Sequence, residues 1–119
     1  MNLADIAIEA VVAANKAGDE WMAKASPKYV VTDDAGSNHG TLLDLCGNAH
    51  VQFRDKRSKN YKDCVKLDLV RKSGNGVFEL EHKYRHRQEH GLAMACAEAA
   101  KKVLESHGIT DLRIWSYID

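Results

Sequence analysis

The chain reads as an α+β domain, a mainly antiparallel sheet of three to five strands with two long helices packed on one face. Apolar residues recur at helical spacing near the start, at Leu3, Ala7, Ala10, Ala14, Ala17 and Trp21, and again late, at Leu92, Cys96, Ala99, Ala100, Val103 and Leu104. Short stretches elsewhere are strand-like, notably Lys28 to Thr32, Val77 to His82 and Leu112 to Ile118. With 119 residues and 45% apolar content, residues 1–119 suffice for one core and hence a single domain, with no repeat, linker or low-complexity segment to divide it.

The first helix runs from Leu3 to about Lys24. Asn2 is its cap, Asp5 suits the positive first turn, and Ser26-Pro27 stops it. Trp21 and Met22 close the end of the core. Lys28 to Thr32 then forms a strand, and the polar run from Asp33 to Gly40 returns the chain as a hairpin into Thr41 to Phe53. Within that arm, Cys46-Gly47-Asn48 marks a bulge or break, because glycine inside a strand pattern weakens it. Residues 58–70 fit either a helix capped by Ser58, with Tyr61, Cys64, Val65 and Leu69 on one face, or a strand in which residues 65–69 alternate; the favoured reading is a short helix to about Lys66 followed by an extended piece. Ser73-Gly74-Asn75-Gly76 is a turn, and Val77 to His82 alternates Phe78, Leu80 and His82 against Val77, Glu79 and Glu81. The long helix comes next. Its buried stripe is largely alanine, which favours close packing, and Gly108 ends it as a C′ residue. Leu112 to Ile118 is the closing strand, with Trp115 and Tyr117 facing outward.

Composition narrows the function. No run approaches the ~18 apolar residues of a membrane span, and the first twenty residues carry acids and lack a basic leader, so no membrane partner and a cytoplasmic location are expected. Three cysteines without CxxC spacing, Cys46, Cys64 and Cys96, suit neither a disulfide framework nor a zinc site and read as small buried hydrophobes. Asp33, Asp34 and Asp44 do not have the ligand spacing of a calcium loop. No cofactor is expected.

The net charge is zero but unevenly spread. Residues 54–87 hold eleven Lys and Arg against five Asp and Glu, and the rest of the chain is correspondingly acidic. One side of the molecule is therefore expected to be basic, suited to nucleic acid or to an acidic protein. Arg54, Lys56, Arg57, Lys59 and Lys62 form one part of it. Lys83, Arg85 and Arg87 form the other, at the expected start of the long helix, where free backbone N–H groups and the helix dipole would add to anion binding. Glu79, Glu81 and Glu89 are near enough in sequence to neutralise that second part.

Residues 86–90 read His-Arg-Gln-Glu-His, the H-x-x-E-H letters of inverted zinc peptidases. On a helix, His86 and His90 would share a face with Glu89 beside them as a base, and His82 is a third candidate ligand. The surrounding Lys83, Arg85 and Arg87 oppose a dication, and the chain is short for a peptidase cleft, so a metal-dependent hydrolase is the alternative reading. A pairing of Asp44 or Asp55 with His50 as acid and base carries little weight, since such letters occur by chance. The reading preferred over both is a binding protein without catalysis. A third is a homodimer joined through the alanine-rich helix or the terminal strand, with Trp115 and Tyr117 in the contact.

Two resemblances bear on this. The order helix, Pro27-x-Tyr29, a turn at Gly36 with His39, strands, and then the Ala-rich AEAAKKVL helix resembles the double-stranded-RNA-binding domain, which implies phosphate contacts from Lys83, Arg85 and Arg87. More of the chain, from about Leu45 to Asp119, is similar to a group of small uncharacterised proteins of tailed bacteriophages. The shared motifs are LCGNAHVQF, SKNYKDCVK, Arg87-Gln88-Glu89 leading into ACAEAAKKVLESHGI, and a terminal Ser-Tyr-Ile-Asp; Asn48 and His50 depart from it where aromatic residues are usual. That resemblance implies a phage origin, residence in a bacterial host cytoplasm, and binding to host proteins or nucleic-acid machinery such as defence complexes.

Overall fold

The structure, a computed structural model, describes residues 2–25, 29–32, 38–42, 44–71 and 74–118, with the backbone alone at 29–32 and 38–42. Helix α1, Leu3–Lys24, begins where Asn2 Oδ1 accepts the Asp5 N–H at 2.9 Å and ends at Ala25; Ser26-Pro27 and the pair Asp33-Asp34 lie outside the described residues. Strands β1, Tyr29–Thr32, and β2, Asn38–Leu42, pair antiparallel as a hairpin of their own. Strand β3 is Gly47–Phe53, helix α2 is Lys59–Lys66, helix α3 is His90–Ser106 and strand β4 is Leu112–Ile118.

The expected sheet requires correction. Among the described residues there are two separate two-stranded antiparallel sheets, β1–β2 and β3–β4, rather than one sheet of three to five strands. The hairpin's second arm ends at Leu42 instead of running on through Phe53, and β2 already starts at Asn38, inside the expected loop. Near the Cys46-Gly47 break the chain changes partner. The Gly47 N–H donates to Gln88 O at 2.8 Å, and from Gly47 onward β3 pairs with β4 in unbroken register, from Gly47 opposite Ile118 to Phe53 opposite Leu112.

The stretch Val77 to His82 is not a full strand either. Val77 and Phe78 make isolated bridges to Gln52 and Val70, with the Phe78 N–H donating to Val51 O at 3.0 Å and the Glu79 N–H to Leu69 O at 2.9 Å. Beyond Glu79 the sequence turns to charged and histidine residues, with too little apolar alternation to stay on the sheet.

The helices do not lie side by side on one face. α3 packs on β3 and β4, and α1 packs on α3, giving a helix, helix, sheet stack. The reason is width. Two strands about 5 Å apart offer a ribbon roughly one helix wide, so the second helix finds its apolar partner on the first. The small residues allow this: Ala10, Ala14 and Gly18 of α1 and Cys96, Ala97 and Ala100 of α3 are all buried, and a Cβ built on Gly18 would come 3.0 Å from Cys96 Sγ. Leu92, Leu104, Ala49, Val51, Phe53 and Leu112 complete the core between α3 and the ribbon. Trp21 and Met22 pack partly buried against it.

α2 behaves as its sequence suggests, with Ser58 Oγ accepting the Tyr61 N–H at 3.1 Å and Cys64 buried on its inner face. It stops where Asp68 takes a left-handed conformation. Gly108, with φ +85°, closes α3. Cys64 and Cys96 are buried free thiols whose pKa burial pushes up to about 11, so they act as apolar core residues, while Cys46 is only half-buried.

Candidate nucleic-acid interface

Strand alternation gives the β3–β4 ribbon two unlike faces. Ala49, Val51 and Phe53 turn toward α3, and the half-buried Asn48, His50 and Gln52 turn away from it. Their partners across the ribbon are Tyr117, Trp115 and Arg113. Trp115 and Tyr117 are 41% and 42% exposed, large aromatic surface that folding has left in water. His50 stacks on Trp115 with ring centroids 5.6 Å apart, Trp115 meets Tyr117 at 5.4 Å, and Arg113 Nε donates to Gln52 Oε1 at 2.8 Å. The outward Trp115 and Tyr117 were legible in the alternation of 112–118; Asn48, Gln52 and Arg113 were not singled out, although the alternation of 47–53 carries the same signal.

The basic face divides into two clusters at the two ends of this ribbon. Arg54, Lys56, Arg57, Lys59 and Lys62 are exposed on the loop after β3 and on α2, a knob attached at the Phe53 end, where the Arg54 N–H donates to Asp111 O at 2.9 Å. Lys83, Arg85 and Arg87 lie near the Gly47 end, roughly 20 Å away along the strand. They sit on a bow of chain, residues 79–87, that leaves β3 after the Phe78 to Val51 bond and rejoins it at the Gln88 to Gly47 bond.

The two clusters differ in how their charge is used. On the knob, Arg57 pairs with Asp55 at 3.2 Å, and Arg54, Lys56, Lys59 and Lys62 have no ion-pair partner among the described residues. On the bow, Lys83 Nζ meets Asp19 of α1 at 2.5 Å, Arg85 meets Glu81 at 3.5 Å, and Arg87 binds Glu89. These contacts leave their mark on titration: the Lys83 ammonium and the Tyr84 hydroxyl bonded to Asp19 hold that carboxyl below its ordinary range, and the Arg87 guanidinium does the same for Glu89.

The bow is fastened to α1. The Lys83 N–H donates to Asn15 Oδ1 at 2.8 Å, the Tyr84 hydroxyl donates to Asp19, and the Tyr84 ring rests on Gly18, where a Cβ would fall 2.3 Å from the ring.

The expected anion site at the long helix needs correction as well. α3 begins at His90, so Arg85, His86 and Arg87 precede it in a turn. Its N-terminus is already filled, because the Gly91 N–H donates to Asp44 Oδ2 at 2.6 Å. The same boundary undoes the metal geometry. With the helix starting at His90, His86 and His90 do not share a helical face, and Glu89 is bound to Arg87. Among the described residues no group of three His, Cys, Asp or Glu side chains is placed to hold a metal ion, His82, His86 and His90 included. The acids paired with His50 in that reading are engaged elsewhere, Asp44 accepting from the Leu45 and Gly91 N–H groups and Asp55 from the Arg57 N–H.

Under the bow, between it and the β3 edge, lies a cleft of about 250 Å³ whose polar lining is Asn48, His50, Arg71, Glu79, His82, Arg85 and His86. His50 and His82 are half-buried, and each titrates below its ordinary 6.5, through burial first and then through Arg71 for His50 and Arg85 for His82. No family model, no curated protein and no solved structure matches the chain. Among the described residues, no helix is long and apolar enough to cross a membrane.

Proposed function

We propose that the protein is a non-enzymatic binder of single-stranded nucleic acid. The observation that carries this reading is the contiguous aromatic row on the outer face of the ribbon, exposed Trp115 stacked with half-buried His50 and tilted against exposed Tyr117, with a basic cluster at either end. Bases stack on such aromatic surfaces whatever their sequence, each worth roughly 1–3 kcal/mol, while cations at the rim follow the phosphates. Arg113 stands on the same face, and Asn48 and Gln52 offer hydrogen bonds to base edges. Of the residues expected to contact the partner, Arg54, Lys56, Arg57, Lys59 and Lys62 carry the larger share, because Lys83, Arg85 and Arg87 are engaged by Asp19, Glu81 and Glu89.

The phage-like motifs, which fall on β3, α2, α3 and β4, fit a protein that acts on the nucleic-acid-processing or defence machinery of a bacterial host. The test is quenching of Trp115 fluorescence by short single-stranded DNA and RNA over a range of salt. Saturable quenching that weakens steeply with salt, with anisotropy of a labelled strand showing the binding lost in Trp115→Ala, supports the reading. Binding to neither strand overturns it and turns the search to an acidic host protein.

A second reading rests on a separate observation. β4 pairs with β3 on one side, and among the described residues nothing pairs with its other edge, next to which Trp115, Tyr117 and Ile118 are exposed. A homodimer formed through that edge would show a doubled mass in light scattering and a monomer on substituting a central residue such as Ser116→Pro.

A further inference from the structure

The cleft beneath the bow shares only His50 with the aromatic row just described, and its lining is rich in cations and imidazoles. It exists because the bow stands off β3 between its two anchors: Phe78 binds Val51, Gln88 binds Gly47, and between them the Ala49 N–H is taken by Asn48 Oδ1 at 2.8 Å rather than by the bow. Cations enter it from two unrelated segments, Arg71 from the stretch after α2 and Arg85 from the bow, and three imidazoles, His50, His82 and His86, complete the wall.

We infer that this cleft is a phosphate-binding pocket, with Arg71 and Arg85 as the cationic ligands and His50 and His82 as hydrogen-bonding partners. Its size agrees, since about 250 Å³ is below the usual range for a whole small-molecule ligand and suits a single charged group. The chemistry agrees too. The Tyr84 N–H donates to His82 Nδ1 at 3.3 Å, so in the neutral ring Nε2 carries the proton and is a donor. Arg85 is held by Glu81 at only 3.5 Å, and that glutamate is 77% exposed, so the guanidinium can exchange it for a ligand at little cost. Arg71 is shared with Glu79 at 3.3 Å, which also faces the cleft and is, among the described residues, the acid in its lining. The guanidiniums favour oxyanions through paired, charge-assisted hydrogen bonds.

That the phosphate belongs to a nucleic-acid strand lying on the ribbon rests on the reading above; that the pocket takes phosphate does not. His50 joins the two, stacking on Trp115 and lining the cleft.

The groups that face the two imidazoles are Arg71, Glu79, Arg85 and His86, so bound phosphate, together with Glu79, would offset the two cations and raise both titrations. The experiment is an NMR titration of the imidazoles of the full chain against pH, in inorganic phosphate and in chloride of equal ionic strength. Midpoints for His50 and His82 that rise by about 1 unit in phosphate are the expected result. The rise should vanish in Arg85→Gln and in the paired variant Arg71→Gln with Glu79→Gln, which leaves no carboxylate stranded. Equal midpoints in phosphate and chloride overturn the proposal. The outcomes stay separable: a phosphate-induced rise without Trp115 quenching by oligonucleotides keeps the pocket and removes the nucleic-acid reading, and quenching without the rise removes the pocket.

Discussion

On the knob, Arg54, Lys56, Lys59 and Lys62 extend into solvent without an acid to pair with among the described residues, whereas on the bow each of Lys83, Arg85 and Arg87 has its own carboxylate. In sequence the two segments look alike, short runs dense in lysine and arginine. What separates them is the neighbourhood that the fold supplies. The bow crosses α1 where Asn15, Gly18 and Asp19 are waiting, so its first cation becomes a fastening, and the knob sits beyond the end of the ribbon with only Asp55 and Asp63 of its own. A cation fastened across the fold, as Lys83 is to Asp19, is used to hold the molecule together, whereas one left unpaired, or held at 3.5 Å by an exposed acid as Arg85 is by Glu81, is still open to a ligand.

The strongest way to break the comparison is through the residue that connects its two halves. Phe53 stacks on Phe78 at 5.0 Å, where the bow begins, and meets Tyr61 of α2 edge-on at 5.6 Å. Phe53→Ala is expected to cost roughly 3–5 kcal/mol of stability in denaturant unfolding, and to free both knob and bow for rapid amide exchange. A loss under 1 kcal/mol would mean that the knob does not depend on the ribbon.

Next in size is Gly18→Ala. In an exposed helix interior this change stabilises by about 1 kcal/mol. Here the added Cβ would press on the Tyr84 ring, so the expected sign is reversed, a loss of roughly 1–3 kcal/mol. A gain in thermal midpoint would show that the bow moves aside freely.

The charge contrast itself is sharpened by salt. Lys59→Gln and Lys62→Gln should each reduce the slope of log affinity against log salt for single-stranded DNA by about 1, and Lys83→Gln should leave it unchanged, because that ammonium already faces Asp19. Equal effects at all three positions would return the bow to the interface.

The smallest effect expected is on pH. His50 and His82 have pKa values below the ordinary 6.5 in the folded protein, so the unfolded chain binds protons first as pH falls. The stability these two histidines contribute should be full above pH 6.5, decline as pH drops below it, and change no further once their folded-state values are passed. His82→Gln should shrink that decline, which thermal melts between pH 5 and 8 would measure.

Much of the local structure could be read directly from residues. Asn2 and Ser58 cap the helices they were expected to cap, Gly108 ends α3, and the alternation of 112–118 turns Trp115 and Tyr117 outward. The site was only half legible. The aromatic pair was visible as an outward face, but its neighbours on β3 were hidden by an incorrect partner, since nothing within 41–53 says that Gly47 onward pairs with a strand at the other end of the chain.

Caps, turns and periodicity are settled among residues a few positions apart, so the amino-acid order alone determined the caps that open α1 and α2, the glycine that closes α3 and the two faces of the last strand, while α3 starts later than expected. Tertiary structure decided what joins distant segments: β3 with β4, α1 on α3 instead of on the sheet, Asp44 at the N-terminus of α3 across 47 residues, and Asp19 on the bow across 65. Those contacts select which cations remain free, because a charge is neutralised by whichever acid the fold brings within a few ångströms, at any separation along the chain.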